Sequence, residues 1–306
     1  MLRTQCAGYA SRALQEEIGN GRERASLPIN KTQGENMAGL RMSAMNVGPL
    51  SCAKNLLVAF APGNVDVPTT SVVIEHPTHG VILWDTGIND AVADPDRGDD
   101  YWGPGLRAAF GTHGFKREHA VDAQLDKLGI KPKDVRYVVY SHLHLDHAGG
   151  MSYFPDAIHV IQRDEIRYAL WPDAWTRPVY CQNDYRDIRK LNILEVEGDF
   201  DLFNDGSLKL VMAPGHAPGQ QVLIIDLPNR GRVCLAGHGS PTRRIRQHGA
   251  DALGLEHSPC QRHACAGSNS NAAVCLCFSA TTQTIFRNFH RAASSRTDVW
   301  SPAPVG

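Results

Sequence analysis

The stretch SHLHLDHAGG, residues 141–150, constrains this chain most, because it places several potential metal ligands directly after an apolar run. That run, VRYVVYS, is short and rich in Val and Tyr, which predicts a buried strand. His142 and His144 are two positions apart, so both can face one side of an extended segment and share one cation. The adjacent Asp146 and His147 point in different directions and can serve a second cation. Imidazole and carboxylate ligands suit zinc, with iron, manganese or cobalt as alternatives.

A second turn offers a further ligand. The segment APGHAPGQ, residues 213–220, follows the apolar run SLKLVM and places His216 between two Pro-Gly pairs. A histidine at the end of a neighbouring strand can complete a set with His142 and His144. The alternative for His216 is an ordinary histidine in a surface turn.

The chain between residues 51 and 237 alternates short apolar runs with turn residues, which predicts one compact α/β domain. Two segments have helical spacing: REHAVDAQLDKLGI, which ends at Gly129, and RDEIRYALW. Pro77–Gly80 is a hairpin signature between two strands. Many short strands with few helices predict two sheets with helices packed outside them. The predicted strands are NLLVAFAPG, TSVVIEH, GVILWDTG, VRYVVYS, AIHVIQR, LNILEVEG, SLKLVMAPG, QQVLIIDLP and RVCLAG.

The two ends of the chain differ from this domain in composition and in hydrophobic periodicity. Residues 1–50 are polar and show no sustained period, which predicts a disordered extension, and three methionines within them are alternative starts. Residues 238–306 contain no Lys and only three acidic residues, and only LCFSATTQTIF resembles a strand there. The sequence therefore divides into an extension, a domain over 51–237 and an atypical tail.

Composition excludes several classes of function. The net charge of −1 gives no reason to expect nucleic acid or an anionic membrane as a partner. No apolar run approaches the ~20 residues of a membrane-spanning helix, and the N-terminal part lacks the apolar core of a secretory signal, so a cytoplasmic location is expected. The spacing of the eight cysteines does not match a zinc framework. The expected partner is a small molecule, and the oligomeric state is not predicted.

Five segments together resemble the metallo-β-lactamase superfamily, and within it most closely the N-acyl-homoserine lactonases, over about residues 53–237. They are VILWDTGIND, SHLHLDHAGGMSYFP, HVIQRDE, EGDFDLFNDGSLKLVMAPGHAPG and QVLIIDLP. The resemblance implies an αββα sandwich, with two mixed sheets and helices outside, that binds two zinc ions. His147 is typical of the two-metal hydrolases of this fold. Asp85, in WDTG, corresponds to a buried carboxylate that supports the ligands, and an ordinary turn Asp is its alternative.

The resemblance also implies a reaction. A metal-bound hydroxide would attack the carbonyl of a homoserine lactone and open the ring, and Asp146 would act as a ligand and carry the proton to the leaving group. Thioester hydrolysis of the glyoxalase II type needs the same groups and is the alternative. The aromatic segment 167–185 predicts either a lid over an acyl chain or side chains that pack a helix onto the sheet.

The family pattern breaks after Gly237. Where the family places an Asp that bridges the two ions, this chain has His238, and a neutral imidazole binds one metal terminally. The tyrosine expected shortly afterwards is missing, since no Tyr follows Tyr185, and His290 is the only histidine near the place of the last ligand.

Five ligands therefore remain in a family-like context. A change of reading frame just after Gly237 explains the joint loss of ligand, strand pattern and lysine. The rival is a genuine divergent tail that recruits His238, with Asp251 or His290. A chain with an incomplete site, which holds one ion or none and is catalytically impaired, is the third alternative. The five remaining ligands are His142, His144, Asp146, His147 and His216.

Overall fold

The computed structural model describes residues 39–56, 60, 62–228, 230–237 and 274–276. Within these residues the chain forms two β-sheets. Their strands are β1 Arg41–Ala53, β2 Asn64–His76, β3 Gly80–Trp84, β4 Val135–Val139, β5 Ile158–Gln162, β6 Asn192–Val196, β7 Phe200–Asp201, β8 Leu208–Met212, β9 Gln221–Leu227, β10 Gly231–Leu235 and β11 Val274–Leu276.

The helices are short and lie between the strands. The α-helices among the described residues are α1 Pro95–Trp102, α2 Leu106–Ala109, α3 Val121–Lys127 and α4 Arg163–Leu170. Single turns of 3₁₀-helix join many of the elements, at Lys54–Leu56, Asp90–Ala93, Thr112–Gly114, Arg117–His119, Pro132–Asp134, Met151–Tyr153, Arg177–Val179 and Ile188–Lys190. Among the described residues, no helix combines the length and the apolar character needed to cross a lipid bilayer.

Both sheets are mixed. The first has the order β1-β2-β3-β4-β5-β6; its first three strands are antiparallel, and β3 to β6 run parallel to one another. The second has the order β11-β10-β9-β8-β7, in which only the β10–β11 pair is parallel. The parallel strands of the first sheet require crossover connections, and α3 and α4 lie in two of them.

Alternate residues of the first sheet face two different cores. Val73 and Leu83 lie in a cluster with Val121 of α3 and Ile166 of α4, so one face of the sheet is covered by helices. The other face packs on the second sheet, through a cluster that includes Val72, Ile74, Ile82, Val139, Leu210, Leu223 and Val233. This arrangement is the predicted αββα sandwich.

The first strand corrects the predicted N-terminal boundary. β1 begins at Arg41, inside the polar stretch 1–50, and pairs with β2 along most of its length. It is an edge strand, so its polar residues can face solvent, and its bulge between Asn46 and Pro49 interrupts the period of two. The strand predicted for NLLVAFAPG is wrong at its start, because Lys54–Leu56 form a 3₁₀ turn. Residues 1–38 lie outside the described residues.

The other predicted elements within residues 62–237 agree with the structure. The hairpin turn joins β2 to β3, and α3 ends before Gly129, whose φ of 74° suits glycine. The RDEIRYALW helix is α4. Of the predicted strand LCFSATTQTIF, only Leu276 falls in β11, and its remaining ten residues lie outside the described part of the chain.

Candidate metal centre

The candidate ligands lie on loops that meet at one edge of the sandwich. Asp85 follows β3, and the 141–150 motif follows β4; these strands are parallel, so both loops leave the same edge. His216 follows β8 in the second sheet. Hydrogen bonds from Gln221 at the start of β9 to the carbonyls of Tyr140 and Ser141 join the two sheets at this edge, at 2.8 and 2.9 Å.

Three histidines form the centre of this region. One ring nitrogen from each of His142, His144 and His216 lies within 4.8 Å of the other two. His216 Nε2 is 3.0 Å from His144 Nδ1, although the two residues are far apart in the chain. His142 is fully buried and His216 is exposed, so the cluster opens to solvent on the His216 side.

Asp146 and His147 lie beside this cluster. Asp146 Oδ2 is 3.4 Å from His147 Nε2, and the ring of His147 is centred 4.1 Å from that of His142. The structure therefore brings all five family-like ligands together. Among the described residues, Asp146 and His147 are the two candidate ligands for a second ion beside the cluster. His238, Asp251 and His290 lie outside the described residues.

Asp85 is the buried carboxylate that the sequence predicts. Its Oδ1 accepts a hydrogen bond from the Ser141 backbone nitrogen at 2.7 Å, and its Oδ2 accepts one from the Ser141 hydroxyl at 2.8 Å. Oδ2 is also 2.8 Å from His147 Nδ1, so a proton on Nδ1 leaves Nε2 to face a metal. Asp85 adopts a left-handed φ of 56°, which turns the chain sharply after β3.

The charges around His147 make this pocket attractive to cations. Burial alone would lower the pKa of His147, but the Asp146 and Asp85 carboxylates outweigh burial and raise this pKa to about 10. The same carboxylates would stabilise a metal ion in place of the proton.

Close backbone approach holds the motif loop in place. A Cβ on Gly149 would lie 2.2 Å from the Asn89 backbone nitrogen, so only glycine fits. Asn89 Nδ2 donates to the Gly149 carbonyl at 2.7 Å, and the Thr86 hydroxyl donates to the His147 carbonyl at 2.8 Å. Residues Thr86 to Asn89, in the loop after β3, thus hold the 141–150 motif loop in place.

Glu165 is a functional candidate that the sequence reasoning missed. It is fully buried at the start of α4, and burial raises its pKa. Its Oε1 accepts hydrogen bonds from the Leu143 backbone nitrogen at 2.9 Å and the Tyr180 hydroxyl at 3.0 Å, and its Oε2 accepts one from the Gly219 nitrogen at 3.0 Å. It therefore joins the loop of His142 and His144 to the loop of His216. In the sequence Glu165 is one of several charges in RDEIRY, with no local signal of this role.

The aromatic segment 167–185 has buried and exposed members. Tyr180 is buried, and its ring is centred 4.6 Å from that of His144, whereas Trp171 is 86% exposed. A cleft of about 740 Å³ lies between this segment and α1; Tyr101, Trp171 and Tyr180 are among the residues that line it. The cleft thus leads from solvent to the side of the histidine cluster.

The donor set fits zinc. Three imidazoles within reach of one ion match a common catalytic zinc site, and Asp146 and His147 add donors of the same kind. The Ser141 hydroxyl lies 2.9 Å from His142 Nδ1, so it orients this ring as the outer partners of zinc ligands do.

The comparison with known families agrees with this fold and site. The model of the metallo-beta-lactamase superfamily matches residues 64–251, more than half of the chain. The protein belongs to this superfamily, and it is a metal-dependent hydrolase by fold and donor set.

Its relatives include lactonases. The N-acyl homoserine lactonase AttM of Azorhizobium caulinodans is 35% identical over 204 residues, which cover 65% of this chain and 76% of AttM. The N-acyl homoserine lactonase of Bacillus cereus is 31% identical over 186 residues, 60% of this chain and 69% of that protein. An N-acyl homoserine lactone hydrolase, solved with N-hexanoyl-L-homoserine at its catalytic metal centre, shares the fold with a TM-score of 0.54 at 20% identity, over 83% of this chain and 88% of that one.

Proposed function

We propose that this protein hydrolyses the ester bond of N-acyl-homoserine lactones in a zinc-dependent reaction that opens the ring. The convergence of His142, His144 and His216, with Asp146 and His147 beside them, is the observation that carries the proposal. The identity with lactonases supports the choice of a lactone as substrate.

Each group has a distinct role in this proposal. Zinc at the three-histidine cluster would supply a water of lowered pKa and polarise the ester carbonyl. Asp146, 8% exposed and beside the cluster, would take up a proton from the attacking water and return it to the leaving alkoxide of the ring. Asp85 and Glu165 are buried and hold the ligand loops through hydrogen bonds.

The cleft beside Tyr180 is suited to the acyl chain. It is lined by aromatic and aliphatic side chains, including Trp102, Leu106 and Trp171, and by Tyr180, whose ring contacts that of His144. An acyl chain there would bury apolar surface while the lactone ring lies over the histidines.

The test compares substrates and single variants of the full chain. N-hexanoyl-homoserine lactone and S-lactoylglutathione are assayed with the wild-type protein and with His144→Ala and Asp146→Asn. We expect lactone opening to exceed thioester hydrolysis and to fall at least about 100-fold in either variant, since each change removes a group at the reacting centre. His113→Ala, an exposed histidine outside the cluster, is the matched control.

Two results would contradict the proposal. Full lactone opening by His144→Ala or Asp146→Asn would exclude this mechanism. Faster hydrolysis of the thioester than of any lactone would reassign the substrate to the glyoxalase II class.

A second candidate function is zinc binding without efficient turnover. The described residues supply three ligands to one ion but only Asp146 and His147 to a second, which favours this candidate. A folded protein that binds zinc through His142, His144 and His216 but hydrolyses neither lactone nor thioester would establish it.

A further inference from the structure

A second cluster of potential ligands lies at the opposite end of β3 from the candidate metal centre. It consists of His76, at the end of β2, His79, in the hairpin turn, and Asp205, between β7 and β8. We call these three residues the hairpin cluster. The five residues of β3 separate it from Asp85 by about 15 Å, so the two sites do not share ligands.

The distances within the hairpin cluster suit a single metal ion. One potential ligand atom from each residue lies within 4.8 Å of the others. His79 Nε2 and Asp205 Oδ2 are 3.5 Å apart. Two ligands of one tetrahedral zinc, each about 2.0 Å from the ion, would be about 3.3 Å apart. This pair is therefore already close to the spacing of zinc ligands.

Neighbouring groups hold the side chains of His79 and Asp205 in place. The ring of His79 stacks on Phe203, with centroids 3.7 Å apart and planes 11° apart. Asp205 Oδ1 accepts a hydrogen bond from the Ser207 backbone nitrogen at 2.9 Å, which leaves Oδ2 on the side of His79. Burial would raise the pKa of Asp205, but hydrogen bonds from Ser207 and the nearby histidines outweigh it and keep the carboxyl ionised.

Nε2 is the ring nitrogen of His76 that the hairpin turn leaves available as a third donor. Its Nδ1 accepts hydrogen bonds from the backbone nitrogens of Thr78 and His79, both at 3.2 Å, and lies 3.1 Å from the Thr78 hydroxyl. Its Nε2 is buried and has no hydrogen-bond partner among the described residues. Such a buried polar atom is costly unless something binds it.

We propose that His76, His79 and Asp205 form a second zinc site that ties the β2–β3 hairpin of the first sheet to the β7–β8 loop of the second. Two imidazoles and one carboxylate are a common donor set for zinc, and water can take the fourth position because His79 and Asp205 are about one-third exposed. The role of this ion is structural, since its ligands join a hairpin of one sheet to a loop of the other.

Zinc binding requires one change of protonation in His76. While Nδ1 accepts the turn's N–H groups, the neutral ring carries its proton on Nε2. When Nε2 binds zinc, the proton resides on Nδ1 and is donated to the Thr78 hydroxyl, and the backbone N–H groups of Thr78 and His79 lose Nδ1 as their acceptor. Thr78 is therefore a positioning residue of the site.

The experiment measures zinc binding by the full chain after removal of metal with a chelator. Zinc is titrated in competition with a chromophoric chelator, and unfolding temperature is recorded with and without zinc. We expect His79→Ala and Asp205→Asn each to bind one zinc fewer than the wild type and to lose part of the zinc-induced rise in unfolding temperature. His113→Ala is the control and keeps both.

The same measurements in a His144→Ala/His216→Ala background isolate the hairpin cluster from the candidate metal centre. One zinc bound there, and lost on adding His79→Ala, supports the site; unchanged zinc binding by His79→Ala and Asp205→Asn overturns it. Thr78→Val should weaken this zinc at least tenfold while Thr78→Ser keeps it. Wild-type affinity in Thr78→Val would overturn the assignment of His76 Nε2.

Discussion

Asp184 is a single carboxyl whose burial has a measurable consequence. It is 4% exposed, and its Oδ1 accepts a hydrogen bond from the Tyr101 hydroxyl at 3.0 Å. Its Oδ2 is buried and has no hydrogen-bond partner among the described residues. Burial, with a smaller effect of Asp146, raises the pKa of Asp184 to about 8. Asp184 therefore keeps its proton at neutral pH.

This pKa predicts how stability depends on pH. Between pH ~4 and ~8 the carboxyl ionises in the unfolded chain but not in the folded one, so the unfolded state binds fewer protons and stability falls as pH rises. Asp184→Asn removes this loss, because the amide stays neutral in both states. We expect the free energy of unfolding of the variant, relative to wild type, to be higher at pH 8 than at pH 5 by about 3.5 kcal/mol.

Urea unfolding at the two pH values measures the difference. Asp156→Asn, a change at an exposed carboxyl, is the control. An equal effect of Asp184→Asn at both pH values would show that Asp184 is ionised in the folded protein.

At the scale of elements, α4 controls how two ligand loops approach each other. The Glu165 carboxylate accepts hydrogen bonds from Leu143, Tyr180 and Gly219. In Glu165→Gln the amide N–H₂ would face at least one of these donors, and that hydrogen bond would be lost. We expect this substitution to lower the free energy of unfolding by about 2 kcal/mol. We also expect weaker zinc binding at the three-histidine cluster. Zinc competition and thermal unfolding measure both effects, with exposed Glu118→Gln as control. Wild-type zinc affinity in Glu165→Gln would refute the link between the loops.

The segment after α4 carries a matched pair of exposed tryptophans. Trp171 lines the cleft beside Tyr180, whereas Trp175, 80% exposed, is not among the lining residues. Trp171→Ala should lower kcat/KM for N-decanoyl-homoserine lactone by about tenfold, through lost apolar contact, and leave N-butanoyl-homoserine lactone nearly unaffected. Trp175→Ala should change neither. Equal loss on both substrates would place the acyl chain elsewhere.

For the whole molecule, the number of bound zinc ions reports whether the site is complete. With the hairpin cluster removed by His79→Ala, we expect elemental analysis of the dialysed protein to find about one zinc per chain, held by His142, His144 and His216. Two zincs in this background would mean that residues after Gly237 supply further ligands, with His238 as the first candidate.

The tail after Gly237 can be tested at the level of the gene. The superfamily match continues to residue 251, while the lysine-free composition extends to the end of the chain. Resequencing distinguishes a changed reading frame from a divergent tail. We expect an alternative frame to encode an Asp in place of His238, and the absence of any family-like ending would exclude the frame change.

Much of the fold was predictable from local pattern. β3 to β6, β8 to β10 and the second half of β2 are short apolar runs bounded by turn residues, so their own sequences indicate strands. β1 was not predictable in the same way. It is an edge strand that contains Pro49 and a bulge, and its pairing with β2 is what makes it a strand.

The candidate ligands also divide into those that local sequence predicts and those that tertiary packing brings together. His142, His144, Asp146 and His147 lie in one loop, so their spacing alone indicates a metal site, and Asp85 was readable through family resemblance. The meeting of His216 with His144 depends on how the two sheets pack, and so does the position of Glu165 between their loops. The hairpin cluster likewise joins residues from both sheets. The sequence by itself determined which donors are present and the loops that carry them. Only the tertiary structure decided which donors from distant strands share one site, because that depends on sheet packing and not on spacing along the chain.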